Sequence, residues 1–244
     1  MFDIESFAKS DQGLVRNTNE DVYRQLLREK FFILADGMGG HNAGEVAASK
    51  TVEYMCKSIQ GLFIDKEHAL QLDDLKSHIT SFIENTNLWV YHLSACDPKL
   101  SGMGTTLCSV LFFKKFIVYS HVGDSRIYRF RNNKLEQLTN DHMRIESIKS
   151  ISCREPMSLQ RKVLTKAIGT SITVNPEVYY SKVKHGDLYM MSSDGLHELV
   201  DNDEIEQSLS SSDDLQKIGD ILIDRAKKNG GHDNITLILM RSSK

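Results

Sequence analysis

Four aspartates in this chain stand at the ends of apolar runs, where a carboxylate has most to do. Asp36 closes Phe31-Phe32-Ile33-Leu34-Ala35 and opens a glycine-rich turn, Gly37-Met38-Gly39-Gly40. Asp124 follows Phe116–Val122 and Gly123. Asp194 follows Leu188–Ser193, and Asp233 stands between Gly230-Gly231-His232 and the closing apolar run. A lone carboxylate taken out of water is costly, and several together repel one another unless cations neutralise them. If these strand ends meet on one side of the fold, four carboxylates converge. Oxygen-only ligation then calls for hard divalent ions, Mg²⁺ or Mn²⁺, rather than zinc. Taken singly, each aspartate has a plainer explanation, because Asp is common in turns and Asp-Gly is itself a turn signal. The polar stretch Arg16-Asn17-Thr18-Asn19-Glu20-Asp21 adds three charges beside a strand. Arg suits bidentate phosphate recognition; by itself the stretch reads as a solvated loop.

The elements that must position these residues follow from periodicity. Phe2 to Ser10 alternates as a strand, a polar turn follows from Asp11 to Asp21, and a second apolar strand ends at Ala35. Ala43 to Ile59 and His68 to Leu93 carry apolar residues at helical spacing. The period then changes. Thr105–Phe113, Phe116–Val122, Arg126–Phe130 and Lys134–Leu138 are short runs separated by tight polar turns. Spacing this close means antiparallel hairpins, since parallel strands need long crossovers. Asp141 to Lys162 is the least regular part and reads as a surface excursion with short helical pieces. Strands resume at Glu177–Lys184 and Asp187–Ser193. Two helices follow, about Asp203–Leu209 and Asp213–Lys228, with Asp213 as N-cap of the second, and the chain ends in a strand, Asn234–Met240. This is an α+β pattern, with helices on the outside of antiparallel sheets.

Composition bounds the rest. The 244 residues are 40% hydrophobic and 26% charged, with net charge −3, enough for one domain, 1–244, that buries roughly 70–75% of its unfolded surface. Nothing in the charge points to nucleic acid or an anionic membrane as partner. No apolar run approaches the ~20 residues of a spanning helix. Acids stand at the N-terminus where a secretion signal carries basic residues, so a cytoplasmic protein is expected. Cys56, Cys96, Cys108 and Cys153 are scattered without metal or redox spacing and are expected to be reduced and mostly buried.

Nine motifs occur in order: Arg16-x-x-Asn19-Glu20-Asp21, Ala35-Asp36-Gly37-Met38-Gly39-Gly40, Gly104-Thr105-Thr106, His121-Val122-Gly123-Asp124-Ser125-Arg126, Leu138-Thr139-x-Asp141-His142, Leu164-Thr165-x-Ala167-Ile168-Gly169, Gly186-Asp187, Ser193-Asp194-Gly195-Leu196 and Asp233-Asn234-Ile235-Thr236. Together they resemble the metal-dependent Ser/Thr protein phosphatases of type 2C, above all the compact bacterial members, over about residues 5 to 240. The resemblance implies a four-layer α-β-β-α sandwich. It implies two Mn²⁺ or Mg²⁺ ions bridged by Asp36, with the Gly37 carbonyl on one and Asp194 and Asp233 on the other. A third ion would use Asp124 and Asp194. Glu20 and Asp21 would act through waters on the ions, and Arg16 would grip the substrate phosphate. An ion-activated water would then attack phosphoserine or phosphothreonine, opposing Ser/Thr protein kinases. A monomer is expected.

Two departures from the family pattern stand out. Many eukaryotic relatives carry a His at the position of Met38, implicated as general acid; methionine carries no such proton. His41 lies three positions on and reads first as a helix-entry residue. His121 and His142 are expected to orient loops rather than catalyse. The excursion 143–162 corresponds to the family's flap beside the site and lacks its usual acidic helical pattern. A catalytically inactive phosphoprotein-binding module on the same fold is the alternative, and it predicts loss of metal carboxylates that are all present here. A phosphodiesterase is a second rival. A P-loop is remote, because no Gly-Lys-Ser/Thr follows Gly39-Gly40.

Overall fold

A computed structural model describes residues 2–39, 43–66, 70–152 and 155–243. Strands β1 (Asp3–Asp11), β2 (Asp21–Leu26) and β3 (Phe31–Met38) precede two long helices, α1 (Ala43–Lys66) and α2 (Leu72–Cys96). A block of strands follows: β4 (Gly104–Thr105), β5 (Leu107–Phe113), β6 (Phe116–Val122), β7 (Arg126–Arg131) and β8 (Lys134–Gln137). Next come β9 (Met143–Ser152), β10 (Glu155–Leu164), β11 (Glu177–Lys182) and β12 (Leu188–Ser192). The chain closes with α3 (Asp194–His197), α4 (Asn202–Ser210), α5 (Leu215–Lys228) and β13 (Ile235–Ser243).

Two antiparallel sheets result. One runs β1-β13-β12-β7-β8; the other runs β11-β6-β5-β3-β2, with β4 against the end of β3. Period-two alternation explains how they stack. Along β3, Phe31, Ile33 and Ala35 point to a core shared with α1 and α2, while Phe32 and Leu34 point to the other sheet. Along β13, Ile235, Leu237 and Leu239 face α4 and α5, while Ile238 and Met240 face the first sheet's partner. Three apolar cores therefore separate four layers, α-β-β-α. Helix α1 presents Ala48, Val52, Met55 and Ile59 at three- to four-residue intervals to the six-stranded sheet, and α5 presents Leu215, Ile218 and Leu222 to the other.

The structure corrects several local expectations. The described residues of 143–164 contain no helical pieces: β9 and β10 pair in register, Met143 with Leu164 and Ile145 with Lys162, as a two-stranded sheet apart from the other two. Cross-strand hydrogen bonding satisfies this backbone, and neither a helical face nor a strict alternation is needed for that. The stretch before Ala35 is two strands, since β2 pairs with β3 through a short turn. Asp194 opens a four-residue helix rather than merely ending a strand. The N-cap of α5 is Asp214, whose side chain accepts from the Gln216 and Lys217 amides at 2.9 and 3.3 Å, not Asp213. Cys56 and Cys108 are buried but Cys96 is exposed. Cys153 and His41 lie outside the described residues.

One buried ion pair fastens the rim of the five-stranded sheet. Arg131 donates from Nε and Nη2 to the two oxygens of buried Asp187 at 2.6 and 2.5 Å, and Lys184 N and Tyr189 Oη donate to the same carboxylate. Removing one partner of such a pair leaves a buried charge uncompensated. Arg131→Met should therefore lower unfolding free energy by about 3–5 kcal/mol in urea titrations. A loss below about 1 kcal/mol would mean that the pair behaves as a surface bridge.

Candidate metal centre and phosphate site

The strand ends do meet. A cavity of about 230 Å³ is lined by Arg16, Thr18, Glu20, Asp36, Gly37, Met38, Thr106, Asp124, Leu164, Asp194, Asp233 and Asn234, with Gly39 at its edge. Seven of the eight site residues expected from the sequence line it. The eighth, Asp21, stands directly behind Asp36 as its cross-strand partner in the β2–β3 ladder and is buried.

The backbone fixes Asp36 from three sides and leaves its side chain to the cavity. Its amide donates to Thr106 Oγ1 at 2.9 Å. Its carbonyl accepts from the Thr106 amide and from Thr105 Oγ1, both at 2.8 Å. The next amide, of Gly37, donates to the Glu20 carbonyl at 3.2 Å. The Gly104-Thr105-Thr106 motif thus acts on Asp36 through hydrogen bonds.

Asp194 and Asp233 come from the five-stranded sheet and meet through a glycine. A Cβ on Gly195 would lie 2.1 Å from the Asn234 carbonyl oxygen and 3.3 Å from Asp233 Cβ. Only glycine permits that approach of α3 to the loop before β13. Asp233 Oδ1 accepts from the Asn234 amide at 2.8 Å, and Oδ2 accepts from Arg16 Nη2 at 2.6 Å. Asn234 then binds the opposite loop: its Oδ1 accepts from the Glu20 amide at 2.8 Å, and its Nδ2 donates to the Gln12 and Thr18 carbonyls at 3.0 and 2.9 Å. Ser193 Oγ donates to Asp21 Oδ2 at 2.8 Å and accepts from the Thr236 amide at 3.0 Å, joining the two sheets under the site. Sequence reasoning passed over Asn234, Ser193 and Thr106 as site-builders. Their signal was adjacency to an aspartate or glycine within the motifs; their partners are far away in the chain.

Electrostatics describes a site that needs cations. Burial, then the neighbouring charges of Asp21, Asp194, Asp124 and Asp233, raises the Asp36 carboxyl well above the ordinary range. Burial pushes Asp21 and Asp194 up to about 7 and Asp124 to about 6. It also raises Glu20. Asp194 Oδ1 and Asp21 Oδ1 are buried without a hydrogen-bond partner among the described residues. Orphaned carboxylate oxygens beside others of the same charge fit divalent ions held by oxygen alone. The tightest trio of potential ligands lies elsewhere, at His121, His142 and Glu177; the carboxylates are instead spread along the cavity wall.

A carboxylate-walled cavity at the junction of two sandwiched sheets, with an arginine on its rim, defines a metal-dependent hydrolase of phosphate esters. The family model for "Protein phosphatase 2C" matches residues 16–240. The serine/threonine phosphatase stp of Listeria welshimeri is 32% identical over 239 residues, 95% of this chain and 93% of that protein. The Mycobacterium tuberculosis serine/threonine phosphatase PstP superposes with a TM-score of 0.83 at 29% identity, each chain covered in full. The catalytic domain of serine threonine protein phosphatase PstP, in complex with two manganese ions, superposes with a TM-score of 0.79, also at 29% identity and full coverage. The chain belongs to the protein phosphatase 2C family and is a metal-dependent protein serine/threonine phosphatase. No described helix is long and apolar enough to cross a membrane.

The raised carboxyls couple the ions to stability. At a pH below the ordinary carboxylate pKa, about 4, both folded and unfolded chains are protonated and these groups contribute nothing that changes. As pH rises towards 7 the unfolded chain ionises first. Their contribution to stability therefore falls with pH and is lost above the folded pKa values. Ion binding requires the ionised form, so the increase in Tm on adding Mn²⁺ should grow from about pH 5 to about pH 8. An increase that is constant or shrinks over that range, followed by calorimetry, would show that these carboxylates do not hold the ion.

Proposed function

We propose that this chain forms a single catalytic domain that removes phosphate from phosphoserine and phosphothreonine in protein targets of Ser/Thr kinases. We assign its site residues as follows. Asp36, the Gly37 carbonyl, Asp194 and Asp233 would hold two Mn²⁺ or Mg²⁺ ions, with Asp36 shared between them. Asp124 with Asp194 would take a third, and Glu20 and Asp21 would act through ordered water. The observation that carries the reading is the convergence of these carboxylates, from both sheets, on one cavity with Arg16 at its rim. A net charge of −3 supports a partner other than nucleic acid or an anionic membrane, and action as a monomer in the cytoplasm is part of the proposal.

When bound, the ions supply an acidified water as nucleophile and neutralise charge on the phosphoryl oxygens. The chain's own residues do the rest. Arg16, half exposed and oriented by Asp233, presents guanidinium N–H groups to the phosphoryl group. The new P–O bond forms in line with the bond to the Ser or Thr oxygen, which leaves with the electron pair. Met38 lines the cavity with a thioether, which carries no proton, so the leaving oxygen takes its proton from another source. Loss of metal carboxylates would favour an inactive binding module, and none is lost.

A phosphothreonine peptide assay tests the mechanism. EDTA, or Asp36→Asn, should lower turnover by about 100-fold or more, the scale of losing a main source of transition-state charge stabilisation. Activity that survives either would overturn the assignment, and faster hydrolysis of bis(p-nitrophenyl) phosphate than of p-nitrophenyl phosphate would mark a phosphodiesterase. Arg16→Ala should raise KM for the phosphopeptide by about tenfold, the scale of one charge-assisted contact, while Mn²⁺ affinity by calorimetry changes less. Unchanged kinetics would leave Arg16 a solvated loop residue.

A further inference from the structure

Behind Asp124 lies a second polar cluster that none of these steps uses. His121, at the end of β6, and His142, just before β9, are both buried, with rings stacked at 4.5 Å between centroids and 8° from parallel. Glu177 pairs with His121 in the β6–β11 register and joins them. Potential ligand atoms of these three residues lie within 4.8 Å of one another. The cluster does not suit a metal. Two near-parallel stacked rings cannot both aim in-plane lone pairs at one ion. Lys166 Nζ, 3.5 Å from Glu177 Oε1 and 3.2 Å from His142 Nε2, already supplies the cation.

The hydrogen bonds show what the cluster holds instead. The Gly123 amide donates to His142 Nδ1 at 3.1 Å, so that nitrogen carries no proton. The proton is then on Nε2, which donates to Glu177 Oε1 at 3.0 Å. In return the His142 amide donates to the Gly123 carbonyl at 2.9 Å. His142 thus clamps both polar groups of Gly123. On its other side Gly123 abuts Thr106: its φ is +106°, and a Cβ there would lie 2.7 Å from Thr106 Cγ2. The same Thr106 takes the Asp36 amide. His121 donates from Nε2 to the Asn140 carbonyl at 2.8 Å and serves as the floor on which the His142 ring lies.

We propose that His142 is a positioning residue for the reaction: through the paired hydrogen bonds to Gly123, it fixes the peptide that aims Asp124 into the cavity. Glu177 anchors the far edge of the ring by accepting the Nε2 proton, and Lys166 pairs with the same Glu177 carboxylate. This rests on the reading that Asp124 is an ion ligand. Its effect therefore falls on ion binding at Asp124 rather than on grip of the substrate phosphate.

Mn²⁺ binding to the purified metal-free protein, by calorimetry and by electron paramagnetic resonance of free Mn²⁺, tests it. His142→Phe keeps the ring stack and removes the acceptor; His142→Asn restores an acceptor at the place of Nδ1. His142→Phe should weaken the Mn²⁺ site that is lost in Asp124→Ala by about tenfold, the scale of one lost buried hydrogen bond, and His142→Asn should stay within about twofold of wild type. With Mn²⁺ saturating, KM for p-nitrophenyl phosphate should not change in either. Should the Phe variant fail to fold, Glu177→Leu, which releases the Nε2 proton, should weaken the same site several-fold. Wild-type Mn²⁺ binding in His142→Phe or Glu177→Leu, or equal losses in the Phe and Asn variants, would overturn the proposal. If Asp124→Ala keeps every Mn²⁺ of the wild type, the Asp124 reading itself falls, and the proposal with it.

Discussion

The structure turns on a repulsion it is built to contain. Asp36, Asp124, Asp194 and Asp233 face one cavity, and Asp21 stands directly behind Asp36. Burial and mutual charge both oppose ionising them. A chain free to relax would move these groups apart. They stay together because hydrogen bonds tie each in place: the Asp36 backbone to Thr105 and Thr106, the Asp233 carboxylate to the Asn234 amide and Arg16, and Asp21 through its amide to Asn19 and through its carboxylate to Ser193. The fold thus holds the charges in place, and divalent cations are what relieve the repulsion.

The two-sheet sandwich is what lets that happen. Glu20, Asp36 and Asp124 sit at strand ends of the six-stranded sheet, and Asp194 and Asp233 flank β12 and β13 of the other. Their separation is therefore set by the core between the sheets, where Phe32, Leu34, Cys108 and Val110 meet Tyr189, Met191, Ile238 and Met240. Such interiors are close-packed and transmit small changes of volume. A side chain deep in that core acts on catalysis by setting the spacing of carboxylates that it never touches.

Much of this was readable in the chain, for physical reasons that differ by element. Phe31–Ala35 and most of Ile235–Met240 are apolar because both faces are covered, so their strand character was plain; the strand does not stop at Asp36, however, but runs on to Met38 by pairing with β4. The helices announced themselves by their spacing. The β9–β10 hairpin did not: it pairs with itself in a sheet apart from the other two, so its strand character rests on backbone pairing that no local pattern shows. Helix α3 is only four residues long, too short to show a period. The carboxylates were legible by position. The residues that aim them were not: Asn234 reaches back to Gln12 and Thr18, and His142 to Gly123, and such pairings are a property of the folded chain rather than of any local pattern.

The site also divides into a rigid and a peripheral half. Asp21 and Asp124 are buried and Asp36 is half-buried, and hydrogen bonds of the Asp36 amide, the Asp21 carboxylate and Gly123 just before Asp124 tie them to other elements. Arg16 stands half exposed on a loop, joined to the ion side by its bond to Asp233, and the hairpin that ends at cavity-lining Leu164 forms a sheet of its own. Ion ligation tolerates errors of only a few tenths of an ångström, whereas a phosphorylated segment of another protein must be admitted and released. Placing the proposed ion ligands within the sandwich and the proposed substrate-facing groups on its margin meets both demands. It also explains why the motifs that locate the ions are so clear in the sequence while the target proteins are not: the constraint of close packing falls on the first set of residues and hardly at all on the second.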